Sequence, residues 1–502
     1  AEDQSAGRFP GQAAPTRSPQ HQPGRTRAGR IGTPHAAVGI GAGVSAPSVA
    51  QRRVAGQHAR LGAPRTSHAE WQPRSDRRDP LDILEAQNEQ RLPWLVGVRH
   101  ARMSASPFTF FRGAAALMAE DLAGTPDSGI RVQCGGDAHL SNFGAYASPS
   151  RELVFDANDF DETLPGPWEW DLKRLAASFV VGGQHLGFSD EECRELAATV
   201  VRSYREATSD YAAMPVMDLW YDHMGVDDVS KFSGLSAKEL ERRLTRFERR
   251  ARSRTSLQAL DKLATRADGT LRIRSMPPLL VPLAELPIKV DKDAAWEAVS
   301  QAYAQYVATT ADHISFLLSR FTIVDIAIKV VGVGSVGTRC WIVLLEGRDD
   351  QDPLFLQIKE AMPSVLADHL PPSAYDHQGR RVVEGQRLVQ AQSDIFLGWT
   401  TGLRGRHYYV RQLRDWKGSV GVERGAPKQW RFYATLCART LARGHARSGD
   451  AVAIAAYAGS SSKLDNAIAE FCMRYARQNR ADYLLFQEAL HDGRLPIVEV
   501  GV

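Results

Sequence analysis

The spacing of apolar positions changes several times along the chain. Residues 1 to about 75 show neither a helical nor a strand period, and they are rich in Gly, Ala, Pro, Gln and Arg, a composition that predicts disorder. Periodic patterning begins near "DPLDILEAQNEQRLPWLVGVR". In "SPFTFFRGAAALMAEDL", Ser106 and Pro107 open a helical stretch, with Phe108, Phe110 and Phe111 as core. Arg112 is expected in a structural salt bridge, with a phosphate contact as the alternative. Residues 170–265 predict mostly helix. Within them, Ser236 and Glu239 are spaced as a capping box, followed by an apolar stripe of Leu240, Leu244, Phe247 and Ala251. A further helix is predicted over 293–318.

From residue 321 the period shortens. "FTIVDIAIKVVGVGSVGTRCWIVLLEG" and "PLFLQIKEA" are β-branched and apolar, with the turn residues "GRDDQD" between them, and predict strands joined by a hairpin. "RRVVEGQRLVQAQ" predicts a helix and "RHYYVRQL" a strand. Residues 428–447 and 463–490 are helical again. Four segments follow: a disordered Arg/Gly/Pro/Ala-rich tail (1–78), a helical part (79–320), a β-rich part (321–415) and a helical completion (416–502).

Composition narrows the class. With 43% hydrophobic and 24% charged residues, the 502-residue chain is ordinary for a soluble globular protein. The longest apolar stretch is interrupted by Asp325 and Lys329, so no membrane span is expected. Five scattered cysteines, odd in number and without a C-x-x-C pair, argue against a disulfide framework or zinc site and fit a reducing cytoplasm. Net charge is +4, yet residues 1–80 alone hold twelve Arg, no Lys and five acids. The remainder is mildly acidic, which argues against a nucleic-acid groove. The Arg-rich, acid-poor tail shares its composition with transit peptides but lacks a compact amphipathic helix, so a flexible tail is the preferred reading.

Two stretches carry candidate chemistry. In "CGGDAHLSNFG", Asn142 stands five residues after Asp137. Phosphoryl transfer needs a carboxylate that orients an acceptor hydroxyl and an amide oxygen that binds Mg²⁺ beside nucleotide phosphates. An Asx-turn is the plainer alternative. A strand "ELVF" and then "DANDFDE" follow, with Asp159-Phe160 seventeen residues after Asn142. Asp156 is a rival to Asp159. Asp171, in "WEWDLKRLA", lies twelve residues further on.

The second stretch, "VVGVGSVGTRCWIVLLEG", holds Gly332, Gly334, Ser335 and Gly337. A G-x-G-x-x-G can mark a dinucleotide fold, which requires a helix directly after the glycines. Here "TRCWIVLLEG" predicts a strand, which suits a flexible hairpin over nucleotide phosphates instead. The next strand delivers Lys359. A helical Glu384 comes after it and could pair with that Lys, with Glu360 and Glu346 as alternatives.

At this point the segment around Asp137 resembles the aminoglycoside-phosphotransferase and protein-kinase superfamily, whose loop reads "GD-x-H-x-x-N". The third residue of the Asp-Phe triplet departs from that pattern, being Asp161 and not Gly. The resemblance implies that Asp137 is the catalytic base, Asn142 and Asp159 are metal ligands, His139 fixes the loop and Asp171 supports its backbone. It also implies that Lys359 meets the α- and β-phosphates, and that backbone groups of Gln412 and Leu413 read the base. Kinases run glycine loop, Lys, Glu, hinge, catalytic loop, metal Asp; here the last two come first, so a circular permutation is expected, its cut falling between "LARGHARSGD" and the strand before Gly135. Over roughly 80–490 the chain also resembles the bacterial domain-of-unknown-function 2252 group, through "RMSASPFTFFRG", "GGDAHLSNFG", "FDANDFDE", "WDLKRLAAS", "KVVGVGSVGTRC", "LQIKEA" and "VVEGQRLVQAQSDIFLGW".

The fold expected is therefore α+β, a kinase-like two-lobe arrangement in circularly permuted order. The function expected is ATP- and Mg²⁺-dependent phosphoryl transfer to an unspecified hydroxyl acceptor, a small molecule or a protein, in the cytoplasm, with no nucleic-acid or membrane partner. Alternatives are nucleotidyl (AMP) transfer on the same fold, a non-catalytic ATP-binding module and, last, a nicotinamide-dependent oxidoreductase.

Overall fold

The computed structural model describes residues 62–225, 256–267, 270–286, 292–413 and 425–498, with isolated positions at 228, 242, 245 and 249. The Ser236–Glu239 box and its apolar stripe lie outside the described residues, as does the tail up to residue 61. Residues 62–78, which composition assigned to the tail, are folded. A short 3-10 helix spans Arg65–Glu70, Trp71 packs edge-on against Phe471, and Arg77 bridges the buried Asp121 and Asp482, at 2.7 Å each.

Four helices follow: α1 (Pro80–Asn88), α2 (Pro93–Ser104), α3 (Pro107–Gly113) and α4 (Ala115–Ala123). Asp79 caps α1 by accepting the Leu81 N–H. Ser106 caps α3 by accepting that of Thr109, as its placement before Pro107 predicts. Phe110 and Phe111 are buried, and Phe108 packs at the edge of the core. Strand β1 (Arg131–Cys134) leads into the Asp137 loop. Beyond it β2 (Phe143–Ala147) and β3 (Leu153–Ala157) form a hairpin, and β4 (Leu164–Pro167) returns to pair antiparallel with β1.

Helix α5 (Trp168–His185) is buried along nearly its whole length. Beyond its first two turns, where Glu169, Asp171, Lys173 and Arg174 are themselves buried, its sequence is apolar or small up to Gln184, so the helix can sit at the centre of the helical part. Helix α6 (Asp190–Ala213) and the short α7 (Val216–Tyr221) follow it.

After α8 (Ser256–Leu263) come a two-stranded hairpin, β5 (Ala264–Ala267) with β6 (Thr270–Ile273), and β7 (Leu280–Pro282). The helix expected over 293–318 is two helices, α9 (Lys292–Val307) and α10 (Asp312–Leu318). Hydroxyls of Thr309 and Thr310 donate to the Tyr306 and Val307 carbonyls, capturing acceptors that a continuous helix would use. Then come β8 (Thr322–Lys329), β9 (Cys340–Glu346), β10 (Pro353–Glu360), α11 (Gln378–Val389), β11 (Gly398–Thr401) and β12 (His407–Gln412).

These strands form one antiparallel six-stranded sheet in the order β11-β12-β10-β9-β8-β7. Side chains alternate across it. Val343, Leu345, Leu354 and Leu356 face α9 and α10 on one side. Ile342, Leu344 and Phe355 face α8 and the β5–β6 hairpin on the other. The sheet's packing thus recruits residues well before 321.

The chain closes with α12 (Pro427–Ser448), α13 (Ala451–Ala458) and α14 (Lys463–His491). Helices α5, α6, α12 and α14 share the largest apolar core. Among the described residues, no helix is long and apolar enough to cross a membrane, and all five cysteines are buried and free.

One buried ion pair ties α12 to the β2–β3 hairpin: Arg443 Nη2 lies 2.5 Å from Asp156 Oδ2. Removing the cation leaves a carboxylate in a low-dielectric interior. Arg443→Met should therefore lower stability by about 3–5 kcal/mol, read by urea denaturation. A loss below about 1 kcal/mol, the scale of an exposed pair, would contradict this.

Candidate functional site

The loop after β1 is shaped by one carboxylate. Asp171, in the first turn of α5, accepts the Gly135 N–H at 2.6 Å and the Gly136 N–H at 3.0 Å. Its Oδ2 also lies 3.3 Å from His445 Nε2 near the end of α12, and His445 Nδ1 meets the Tyr204 hydroxyl at 2.8 Å. Gly136 has φ +79°, and a Cβ there would stand 2.3 Å from the Glu162 carbonyl. Only glycine fits this turn.

Asp137 is presented next. Three residues after Asp171, Arg174 donates Nε to Asp137 Oδ1 at 2.6 Å. Arg174 also donates Nη2 to the Phe111 carbonyl and stacks 4.5 Å above that ring. Burial pushes the Asp137 carboxyl up to about 6, against the pull of Arg174. His139 is a fixture of the loop: its Nδ1 accepts the Ser141 N–H, and burial holds its imidazole far below the usual value, hence neutral. Asn142 donates Nδ2 to the Asp137 carbonyl at 2.7 Å, which leaves its amide oxygen for the cleft it lines.

The hairpin returns the chain to the same place. The Asn158 N–H donates to the Asn142 carbonyl at 2.8 Å, and Phe160 is buried against Val382, Val383 and Val389 of α11. Asp159 and Asp161 are thereby held on either side of an anchored ring. Lys359, on β10, the second strand after the glycine hairpin, reaches both. Its Nζ is 3.4 Å from Asp159 Oδ1 and in close contact with Asp161 Oδ2. Asp161 also accepts from the Tyr409 hydroxyl at 2.6 Å and from Ser335 Oγ at 3.2 Å. Burial would raise the Asp161 carboxyl, but the Lys359 charge and these hydrogen bonds outweigh it and hold it below the ordinary value. Burial would likewise lower Lys359, and the two aspartates more than reverse it.

The glycines lie between β8 and β9, with no helix after them, which leaves the dinucleotide arrangement without the helix it requires. Gly332, Gly334 and Ser335 line the same open cleft as Asp137, His139, Asn142, Asp159 and Asp161. Gly337 (φ +92°), expected in the same phosphate loop, is not part of that lining and packs against the side chain of Arg91. The hairpin is held from outside the sheet: Arg102 donates to the Gly332 carbonyl, Arg91 to that of Val336, and the Leu92 N–H to that of Gly337.

The family comparison bears on this set of parts. A model of the family described as an uncharacterised protein conserved in bacteria (DUF2252) matches residues 91–489. The chain belongs to this family. Neither the curated proteins nor the solved structures gave a match. The matched span of this DUF2252 chain contains the lining of this cleft except Gln87.

Two expectations need correction. Glu384 does not pair with Lys359; it meets Arg387 at 3.4 Å. Its alternative Glu360 is held by Arg339 and Arg406. The backbone N–H groups of Gln412 and Leu413 are already donated, to Asp394 Oδ2 at 2.6 Å and to the Phe355 carbonyl at 2.9 Å, so neither can donate to a base. Asp156, the rival to Asp159, is buried on Arg443 and lines no part of the cleft. Arg112 lines the cleft.

Sequence reading missed Arg174, Asp161 and Tyr409 as site residues. Arg174 was recoverable from its i+3 spacing after Asp171, which puts both on one helix face. Asp161 was visible as the departure from Gly in the triplet.

The unfolded value of an aspartate is 3.8 and Asp137 sits near 6. The folded chain therefore holds an extra proton between these values, and the contribution of this group to stability falls as pH rises through that window. Carboxyl-carbon NMR should show a midpoint near 6. Asp159→Asn should lower it, because the Asp159 charge raises it, and Arg174→Met should raise it. A midpoint near 4 that neither substitution moves would contradict the burial described.

Proposed function

We propose that the chain is an ATP- and Mg²⁺-dependent phosphotransferase built as a circularly permuted, kinase-like pair of lobes. The observation that carries this reading is the convergence, in one cleft, of Asp137, Asn142 and Asp159 from the early part of the chain with the glycine hairpin from the later part, and Lys359 holding Asp159 from beneath. Chain order supports it as well. The Gln133 N–H donates to Ser448 Oγ at 3.2 Å, across 315 positions, so the end of α12 abuts the strand that enters the Asp137 loop. In an unpermuted chain that helix would run directly into the loop.

The residues fit the group they would hold. Mg²⁺ takes few protein ligands and completes its shell with phosphates and water, and Asn142 Oδ1 with an Asp159 carboxylate supplies such a partial set. Among the described residues, no group of three His, Cys, Asp or Glu could hold a metal unaided. Bound MgATP supplies the phosphoryl group and neutralises its charge.

The rest is the work of this chain. Lys359 presents a buried cation under the carboxylates and, as phosphates enter, can share it with them. The glycine hairpin offers backbone N–H groups without side-chain obstruction. Asp137 orients the acceptor hydroxyl. The bond from the γ-phosphorus to the β,γ-bridging oxygen breaks, a bond to the acceptor oxygen forms, its proton passes to Asp137 or to water, and ADP leaves. Positioning and electrostatics account for most of the acceleration in such a reaction.

Asp159→Ala and Lys359→Ala should each cut Mg²⁺-dependent ATP turnover at least about 100-fold. Asp137→Asn should cost about 10²–10⁴-fold while nucleotide affinity is kept. Mass spectrometry of the acceptor or of the chain itself should show added phosphoryl groups. Adenylyl products would move the reading to nucleotidyl transfer, and turnover undiminished in Asp159→Ala would overturn it.

A further inference from the structure

A second cavity, of about 190 Å³, lies beside the cleft. Adjacent residues serve the two: Asn158 lines this cavity and Asp159 lines the cleft. The other walls come from the turn of the β2–β3 hairpin, from α11 and the loop after it, and from the end of β12.

Carboxamides set its character. Gln390 donates Nε2 to the Ala157 carbonyl at 2.6 Å, and its Oε1 accepts from Gln386 Nε2 at 2.8 Å. A carbonyl can only accept, so this relay fixes which end of each amide is nitrogen. Gln386 Oε1 is left as an acceptor. The residue is 5% exposed, yet nothing among the described residues donates to this oxygen, which remains accessible. Arg411 is the complement. It donates Nε to Gln357 and Nη1 to the Asn158 carbonyl, each at 2.9 Å. Its Nη2 has no acceptor among the described residues and is likewise accessible. The side-chain amides of Asn158 and Gln412 also make no hydrogen bond among the described residues.

The cavity offers hydrogen bonds and little net charge. Asp394 accepts the Phe396 and Gln412 N–H groups. Arg411 lies in the field of Asp159 and Asp161, and the exposed Arg151 has an interaction of its own. Tyr146 and Phe396 add aromatic surface, and the Tyr146 hydroxyl is fixed on the Gln392 carbonyl at 2.9 Å.

A buried acceptor without a donor costs free energy until one arrives. Apolar walls with a few convergent polar groups are the usual make-up of a small-molecule site. A planar ring with a donor and an acceptor on one edge, as nucleobases have, can answer Gln386 Oε1 and Arg411 Nη2. We propose that this cavity binds a neutral heterocycle of the nucleobase class, its donor on Gln386 and its acceptor on Arg411, with Asn158 and Gln412 choosing among bases. The ring belongs either to the nucleotide whose phosphates enter the cleft, a source that rests on the phosphotransferase reading, or to a separate small molecule.

Isothermal titration of the full chain with adenine and with uracil tests this. At least one of them should bind, at a single site. Its counterpart with the edge donors methylated, 6-dimethylaminopurine or 1,3-dimethyluracil, should bind at least about tenfold more weakly. Gln386→Met should weaken the base by about tenfold or more, and Asn158→Ala and Gln412→Ala by about threefold or more. The last two side chains hold nothing within the fold, so their thermal melts should match that of the unsubstituted chain, and they decide the matter if Gln386→Met does not fold.

Failure of both bases to bind overturns the proposal. So does binding that the methylated counterpart matches or that the substitutions leave unchanged. A second titration, with the chain saturated by Mg²⁺ and a non-hydrolysable ATP analogue, separates the sources. Loss of the base site places the ring on the nucleotide, and an undiminished site assigns it to a separate molecule. If the analogue itself fails to bind, the phosphotransferase reading falls, and the base site is judged by the first titration alone.

Discussion

A buried ammonium cannot remain without an anion. Lys359 is almost wholly inside the protein, and removing such a charge from water costs several kcal/mol unless partners compensate. Its partners, Asp159 and Asp161, stand about two hundred residues earlier in the chain. This requirement fixes the sheet against the helical part at one point. It also sets the cleft, because the two aspartates directly follow the β2–β3 hairpin that starts just after Asn142, and the strand that carries Lys359 follows the glycine hairpin. The Tyr409 hydroxyl and Arg381, which donates to the Asp161 carbonyl, close the remaining valences.

A second constraint acts on the opposite side. Asp171 gathers two loop amides and the His445 imidazole, so α5 and α12 jointly define the path of the Asp137 loop. Both helices are rigid parts of the largest core, and Asp137 inherits that rigidity through Arg174. The cleft therefore has one wall fixed by a helix bundle, one by a sheet, and a third by the N-terminal helices that also hold the glycine hairpin. Chain order matters little to such a site; contacts between segments hundreds of residues apart build it.

What could be read from the chain was local. The Asp137–Asn142 spacing, the glycine hairpin between two strands and the Lys on the next strand depend on short stretches, and each lies where its pattern predicts. Partner choice was not local. Glu384 was a reasonable mate for Lys359 by order along the chain, but selection of Asp161 depends on the fold of the whole β2–β3 hairpin and on Phe160 anchoring in α11. The amides of Gln412 and Leu413 were likewise taken by Asp394 and Phe355, groups whose proximity no pattern announces. The break between α9 and α10 came from two threonine hydroxyls, which apolar spacing does not register.

The most direct examination of the shared cleft is crystallographic: the chain grown with a non-hydrolysable ATP analogue and Mn²⁺, with anomalous scattering to locate the metal. A manganese peak within coordination distance of Asp159 and the Asn142 amide oxygen, and phosphates between Lys359 and the glycine hairpin, is the result required. Nucleotide bound on another surface, or a metal bound away from both residues, would contradict it.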